Sequence, residues 1–326
     1  MMLSRHAESL FWLGRYLERA EYSTRMLDVT YHSLLESAAW ESERAWRDLL
    51  QVLRSESGFD KTGSPATSEH VNRFVMIDRA NSDSVSACIE RARENARSVR
   101  ELIPTELWQS LNSFYLALNQ RDLAVDLAEQ PYDLYEMVKQ RCQTVSGVLS
   151  DTMARDDGWR FVTIGRHLER AQVMCRLLAI RYQNLGDVSF HQWLAALKSA
   201  SAAEAFRKAY RGSQDPAEVI EFLLLSPVFP RSVFFSLRHA EAELDILGAQ
   251  FGRVTRPQRL LGRIRAGLEF AEIEELLHDD LRLHLVEVES DIRWVAESVA
   301  LEYFRNSHEF APFVPTGPAP VGTKGR

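Results

Sequence analysis

The chain has 326 residues, 45% of them hydrophobic and 26% charged, and a formal net charge of −7. That length exceeds one small hydrophobic core and fits two intimately packed halves, and the composition excludes a chain disordered throughout. The acidic balance, without a long lysine or arginine run, argues against nucleic acid as the main partner, because binding phosphates needs a concentrated basic surface.

Apolar residues fall at helical spacing almost throughout. Leu10, Leu13, Leu17, Ala20, Leu27 and Tyr31 predict a first helix that starts after Ser4 as N-cap and runs past Leu35. A second covers about 41–53, and the Ser-, Gly-, Pro- and Thr-rich stretch 55–69 reads as a loop. Helices follow at about 70–79 and 82–102, and Pro104 opens another that reaches about 118. Pro131 opens a long helix ending near Met153. The RDDG turn at 155–158 leads into a helix over about 159–184, which Gly186 stops. Shorter helices are expected at 190–199, 201–211 and 216–225. Pro227 and Pro230 interrupt before a helix at 231–250, and a last pattern runs over 270–307 with a break near His278. No alternating strand pattern occurs. The expected fold class is all-α: a multi-helix bundle forming one domain over 1–310, built from halves of about 1–155 and 156–310, with a flexible Pro- and Gly-rich tail at 311–326.

One phrase occurs twice. Residues 14–27 read GRYLERAEYSTRML and residues 165–178 read GRHLERAQVMCRLL, with eight of fourteen positions identical at an offset of 151. This long-range two-fold repeat predicts two equivalent central helices that meet. On a helical wheel Glu18 and Arg25 lie together beside the aliphatic stripe, with Arg15 and Arg19 one turn apart on the adjoining strip. The second copy is ringed by Val162, Ile164, Leu168, Val173 and Leu177, as expected of a helix buried on all sides. Glu18, Arg25, Glu169 and Arg176 are therefore expected to be buried and paired, because an unpaired buried charge costs several kcal/mol. Two readings stay open: an ion-pair lattice that fixes helix register, or arginines open to an anionic ligand beside a Glu with a shifted pKa. The echo ERARENAR at 90–97 looks instead like a solvated face with pairs inside its own helix.

MLSRHAESLFWLGRYLERAE at 2–21, ERARENARSVRE at 90–101 and GRHLERA at 165–171 together resemble the alpha-E domain family, all-helical bacterial proteins with a Glu-Arg motif. The motif positions carry over as Arg15, Glu18, Arg19, Arg166, Glu169 and Arg170. The resemblance implies association with circularly permuted ATP-grasp proteins and transglutaminase-like proteins. It therefore implies a non-catalytic accessory subunit of an ATP-dependent peptide or amide ligation system. Two alternatives are a module that binds an anionic small molecule or peptide carboxylate through these residues with Arg25 and Arg176, and an independent enzyme using Glu18 or Glu169.

Other chemistry is weakly signalled. No phosphate-cradling loop, G-x-S-x-G elbow or HExxH occurs, and the order of GPAPVGTK at 317–324 does not fit a P-loop. Glu275 and His278 form one Glu-x-x-His pair where a di-iron bundle needs two, so neither metal nor cofactor is expected. His167, which replaces Tyr16 in the repeat, reads as a polar tip in a semi-buried slot. Cys88, Cys142 and Cys175 form no CxxC pair and are expected as small buried hydrophobes. No stretch approaches the ~20 apolar residues of a membrane span, and the N-terminus lacks a secretory pattern. A cytoplasmic location is the expectation.

Overall fold

A computed structural model of the chain describes residues 2–34, 39–183 and 190–304. Among the described residues there are sixteen α-helices and no strand, so the protein is an all-α bundle. Its centre is the crossing of two long helices, α1 (Ser4–Ser33) and α9 (Asp157–Gln183). Each carries a shell of its own. Around α1 pack α5 (Val85–Ser98) and α8 (Pro131–Thr152), bridged by α6 (Thr105–Asn119). Around α9 pack α13 (Val233–Ala249) and α16 (Leu281–Tyr303), bridged by α14 (Arg256–Glu269). The two shells also interlock, since α2 (Ala39–Val52) packs on α9 and α10 (Phe190–Ser199) packs on α1. Shorter helices complete the shells: α3 (Glu56–Asp60), α4 (Ser68–Met76), α7 (Leu123–Glu129), α11 (Ala203–Ala209), α12 (Pro216–Leu225) and α15 (Ile273–His278).

Local chemistry sets most helix starts. Ser84 and Ser232 cap α5 and α13 by accepting from the amides of Ala87 and Phe235, and Asp215 and Asp280 do the same for α12 and α16. Pro131 sits in the first turn of α8, where its missing N–H is harmless. Three boundaries differ from the sequence expectation. Ser4 is the first helical residue of α1 rather than its cap, no side chain caps that end, and the helix stops at Ser33. Helix α5 ends at Ser98 because Val99–Ile103 turn the chain toward Pro104, itself the N-cap of α6. Helix α3 lies within the stretch read as loop, α7 and α14 fall where no helix is expected, and α15 and α16 divide near His278 as the sequence indicates. Gly186 and the tail at 311–326 lie outside the described residues.

The crossing of α1 and α9 depends on two glycines. A Cβ added to Gly14 would lie 2.2 Å from the carbonyl oxygen of Val162, and one added to Gly165 would lie 2.1 Å from that of Phe11. The two contacts map onto each other by the same offset of 151 that relates the two phrases. Beside the crossing, Phe11 and Phe161 pack on Phe304, with ring centroids 5.5 and 5.9 Å apart.

A substitution pair isolates this contact. Gly14→Ala should destabilise by about 1–3 kcal/mol or more, because backbone must move to admit the methyl group. Gly147→Ala, in α8 with open space around its Cβ position, should stabilise by about 0.5–1 kcal/mol through helix propensity. Urea unfolding of both variants checks this. A Gly14→Ala variant as stable as the Gly147→Ala protein would mean that the helices do not need the close approach.

Candidate functional site: the Glu-Arg lattice between α1 and α9

Close approach at the glycines brings the following turns of α1 and α9 within reach of each other's long side chains. Arg19 grips Glu169 with both sides of its fork, Nε donating to Oε1 at 2.7 Å and Nη2 to Oε2 at 3.1 Å. Arg170 returns the grip on Glu18, with Nε and Nη2 at 2.7 and 2.6 Å from its two oxygens. Each arginine of the motif thus holds the glutamate of the other copy. Arg15 adds a bond to Glu169 at 2.7 Å and one to the Gln172 side-chain oxygen at 2.5 Å. Arg166 stands 3.9 Å from Glu18. Planar guanidinium forks meeting carboxylates in pairs of bonds are the geometry that makes arginine suited to buried ion pairs.

The pairing differs from the wheel. Arg25 pairs with Glu21 at 2.6 Å, one turn back in its own helix, and not with Glu18. Arg176 leaves Glu169 to others and donates to the carbonyl of Val52 at 2.7 Å and to Glu289 at 3.1 Å. The wheel sets Arg25 beside Glu18, but Glu18 is taken by Arg170 from across the crossing, which leaves Arg25 to Glu21 in its own helix and Arg176 to acceptors on α2 and α16. Several members of the lattice carry no motif. Arg231, ahead of α13, donates to Glu21 at 2.5 Å and lies 3.5 Å from Glu18. Asp83 pairs with Arg19, and the carbonyl of Pro230 accepts from Arg170 at 3.0 Å. Arg231 follows a Pro-x-x-Pro break in the chain, and nothing in that context marks it as a partner of the repeat.

Glu18 and Glu169 are each only 2% exposed, so burial by itself would raise their pKa values. Arginines outweigh it. Arg170 first, then Arg231 and Arg166, bring Glu18 down from 4.5 to about 2. Arg19 and Arg15 hold Glu169 well below the usual carboxylate range. Both carboxylates are ionised throughout the physiological range, which suits them to anchor cations and unfits them as proton donors. His167 stacks on His239 with ring centroids 5.4 Å apart. Burial, then Arg170 and Arg166, keep it neutral. The three cysteines are buried, and burial pushes the Cys88 thiol up to about 12. Among the described residues no group of three or more His, Cys, Asp or Glu side chains is placed to hold a metal, and no helix is long and apolar enough to cross a membrane. In α5, Arg93 and Arg97 pair with Glu94 on an outer face, as the echo phrase predicts.

An all-α bundle locked at its centre by two Glu-Arg phrases is the structure expected of one family. The alpha-E family, described as "a predicted alpha-helical domain with a conserved ER motif", matches residues 2–304, and the chain belongs to it. Among curated proteins it is similar to an uncharacterised protein of Mycobacterium bovis and two of Mycobacterium tuberculosis, each 26% identical over 313 residues. Those matches cover 89% of this chain but 35% of each relative, so the chain spans about a third of their length. No solved structure matches it.

The lattice makes two measurable demands. Glu169→Ala strands Arg15 and Arg19 in the interior and should cost about 3–5 kcal/mol, whereas Glu302→Ala, which removes the outlying pair with Arg253, should cost less than about 1 kcal/mol. The pH dependence follows from folded-state pKa values that lie below those of the unfolded chain. The stabilisation is complete above the ordinary glutamate value of 4.5 and is lost as pH falls from there through about 2. Urea midpoints at steps between pH 7 and pH 2 should be flat at the top and fall steeply in that acid window, and the Glu169→Ala variant should show a shallower fall.

Proposed function

We propose that the protein is a non-catalytic helical partner, an accessory subunit of an ATP-grasp-dependent peptide or amide ligation system acting in the cytoplasm. One observation carries the non-catalytic part: the motif glutamates are wrapped by arginines of the opposite copy and held ionised. A carboxylate in that state positions helices and does not exchange protons near neutral pH. The same geometry weighs against the lattice arginines as a ligand site, because their forks already donate to Glu18, Glu169, Gln172 and Asp83. This reading takes residues 1–155 and 156–310 as two related halves closed on each other by the lattice.

Two observations support the partner role. The relatives continue for about two thirds of their length beyond the matched region, so this unit shares a polypeptide with other parts there. Helix α16 also exposes Leu283, Val286, Trp294 and Leu301, which recur at helical spacing along one outer strip. Counted from the first residue of each helix, the same positions of α8 are Asp133, Glu136, Thr144 and Asp151. An apolar strip on one helix and a polar one on its counterpart is the pattern of a surface kept for another protein. The ligation chemistry itself rests on the family resemblance.

Co-expression with a circularly permuted ATP-grasp protein from the same organism, followed by size-exclusion chromatography, tests the reading. The two chains should co-elute, and Trp294→Glu should separate them without lowering the melting temperature of the single chain. The chain alone should neither bind nor hydrolyse ATP. Separate elution of the parent proteins, or ATP turnover by the isolated chain, would sink the accessory-subunit reading.

A further inference from the structure

Helix α7 is apolar but unpacked. Leu123, Ala124, Val125, Leu127 and Ala128 make up most of its seven residues, yet none of them is buried. A helix this short does not hold itself by propensity, so its packing partners matter. Across the crossing, α15 stands before α16 as α7 stands before α8, and it buries Ile273 and packs on α12. Helix α7 instead faces α4 over a cleft of about 340 Å³, which Tyr31 of α1 and Pro131 of α8 also line. That volume falls in the range of about 300–1,000 Å³ found for small-molecule sites. Ala124, Leu127 and Ala128 form its apolar wall, so an apolar group from outside would find there the contacts that α7 lacks.

The opposite wall carries charge. Glu69, Arg73 and Ile77 follow one another at one-turn spacing along α4 and its C-cap, and all three line the cleft. Glutamate four residues before a basic residue is the favoured order for a pair within a helix. Glu21 with Arg25 and Glu289 with Arg293 form such pairs at 2.6 and 2.8 Å. Glu69 and Arg73 pair neither with each other nor with any other described residue, and both heads are exposed. Between them the buried Asn72 is fixed from two sides, with Nδ2 donating to the carbonyl of Ser68 at 2.8 Å and Oδ1 accepting from the Tyr135 hydroxyl. The cleft thus offers one carboxylate and one guanidinium, both without a partner, opposite an apolar surface.

We propose that this cleft binds a free α-amino acid with an aliphatic side chain. Its ammonium donates to Glu69, its carboxylate accepts from Arg73, and its side chain lies on Ile77, Ala124 and Leu127. Residues one turn apart have Cβ atoms about 5–6 Å from each other. Charges carried on one α-carbon bridge that spacing, whereas the two ends of a longer peptide overshoot it. A dicarboxylate would bring like charge against Glu69, and a diamine would bring it against Arg73, so the pair selects a zwitterion. The site uses no residue of the Glu18 and Glu169 lattice and stands independently of the accessory-subunit reading.

Titration of the full chain with L-leucine, followed by calorimetry and by the methyl signals of Ile77 and Leu127, tests the proposal. N-acetylleucine lacks the ammonium, leucinamide lacks the carboxylate, and glycine lacks the side chain. Leucine should bind, and each of the three should bind at least about tenfold more weakly, the usual worth of a charge-assisted hydrogen bond or of a buried aliphatic side chain. Glu69→Gln and Arg73→Gln, both at exposed heads, should each weaken leucine about five- to tenfold with an unchanged melting temperature. Equal affinity for leucine and N-acetylleucine, an Arg73→Gln variant that binds like the parent, or no methyl shifts with leucine up to about 20 mM, a concentration that would detect even millimolar affinity, would overturn it.

Discussion

Two helices can cross within backbone contact only where neither carries a side chain, and everything at the centre of this protein follows from that constraint. Gly14 and Gly165 let α1 and α9 meet where a methyl group would strike a carbonyl oxygen. Beyond the crossing the helices diverge, and the gap opens to the reach of an arginine on one side and a glutamate on the other. One turn from the glycines the sequence supplies Leu-Glu-Arg-Ala on both helices. Position in the phrase therefore fixes both the distance and the partner. Burying these charges is expensive, and the lattice offsets that cost because each carboxylate oxygen receives at least one arginine bond. Specific register is the return: sliding one helix past the other by a turn would part the forks of Arg19 and Arg170 from their carboxylates.

Much of this was legible in the sequence, for a physical reason. A phrase repeated at long range reports a symmetric contact, and a helix apolar on all sides reports a central one, so α1 and α9 could be placed together before any coordinates. The pairing could not. Glu18 and Arg25 are neighbours on the wheel, yet Glu18 is bound by Arg170, because a wheel holds no information about the crossing. Helix α14 was missed although its start is written plainly: Thr255 and Gln258 form a capping box with Pro257 in the first turn. Its arginine-rich exposed face hid a narrow apolar stripe of Leu261, Ile264 and Leu268. Helix α3 is five residues long inside a Ser- and Gly-rich stretch, and packing around the buried Phe59 holds it rather than local propensity. Arg231 and Asp83 entered the lattice from loops, where spacing carries no signal.

The two copies of the phrase are not equivalent, and the difference has a direct structural consequence. Glu21 in the first copy corresponds to Gln172 in the second. Glu21 takes Arg25, one turn on in its own helix, and Arg231 from the neighbouring loop. Gln172 is neutral and already accepts from Arg15, so Arg176, the counterpart of Arg25, has no carboxylate one turn behind it. It turns outward instead, to the carbonyl of Val52 and to Glu289. Glu289 answers it from α16, while on the α1 side Lys139 of α8 pairs with Asp28 at 2.5 Å. A carboxylate exchanged for an amide in the phrase is thus accompanied by a change of partner, so that Arg25 and Arg176 both stay paired while the location of the pair shifts.

That shift joins the buried lattice to the surface. On the first side, Arg25 and Arg231 close on Glu21, and Lys139 closes on Asp28. On the second, pairing runs outward from α9 through Arg176 to Glu289, and there meets Arg54, at the left-handed turn that ends α2, and Arg293. Arg176 thus carries the pairing from α9 to α2 and α16. Because Arg176 also fixes the carbonyl of Val52, the same contact anchors the end of α2 and so sets where Arg54 points. Arg19 makes the comparable outward contact from α1, to the partly exposed Asp83 ahead of α5, so each helix of the crossing sends one guanidinium of its phrase toward the surface.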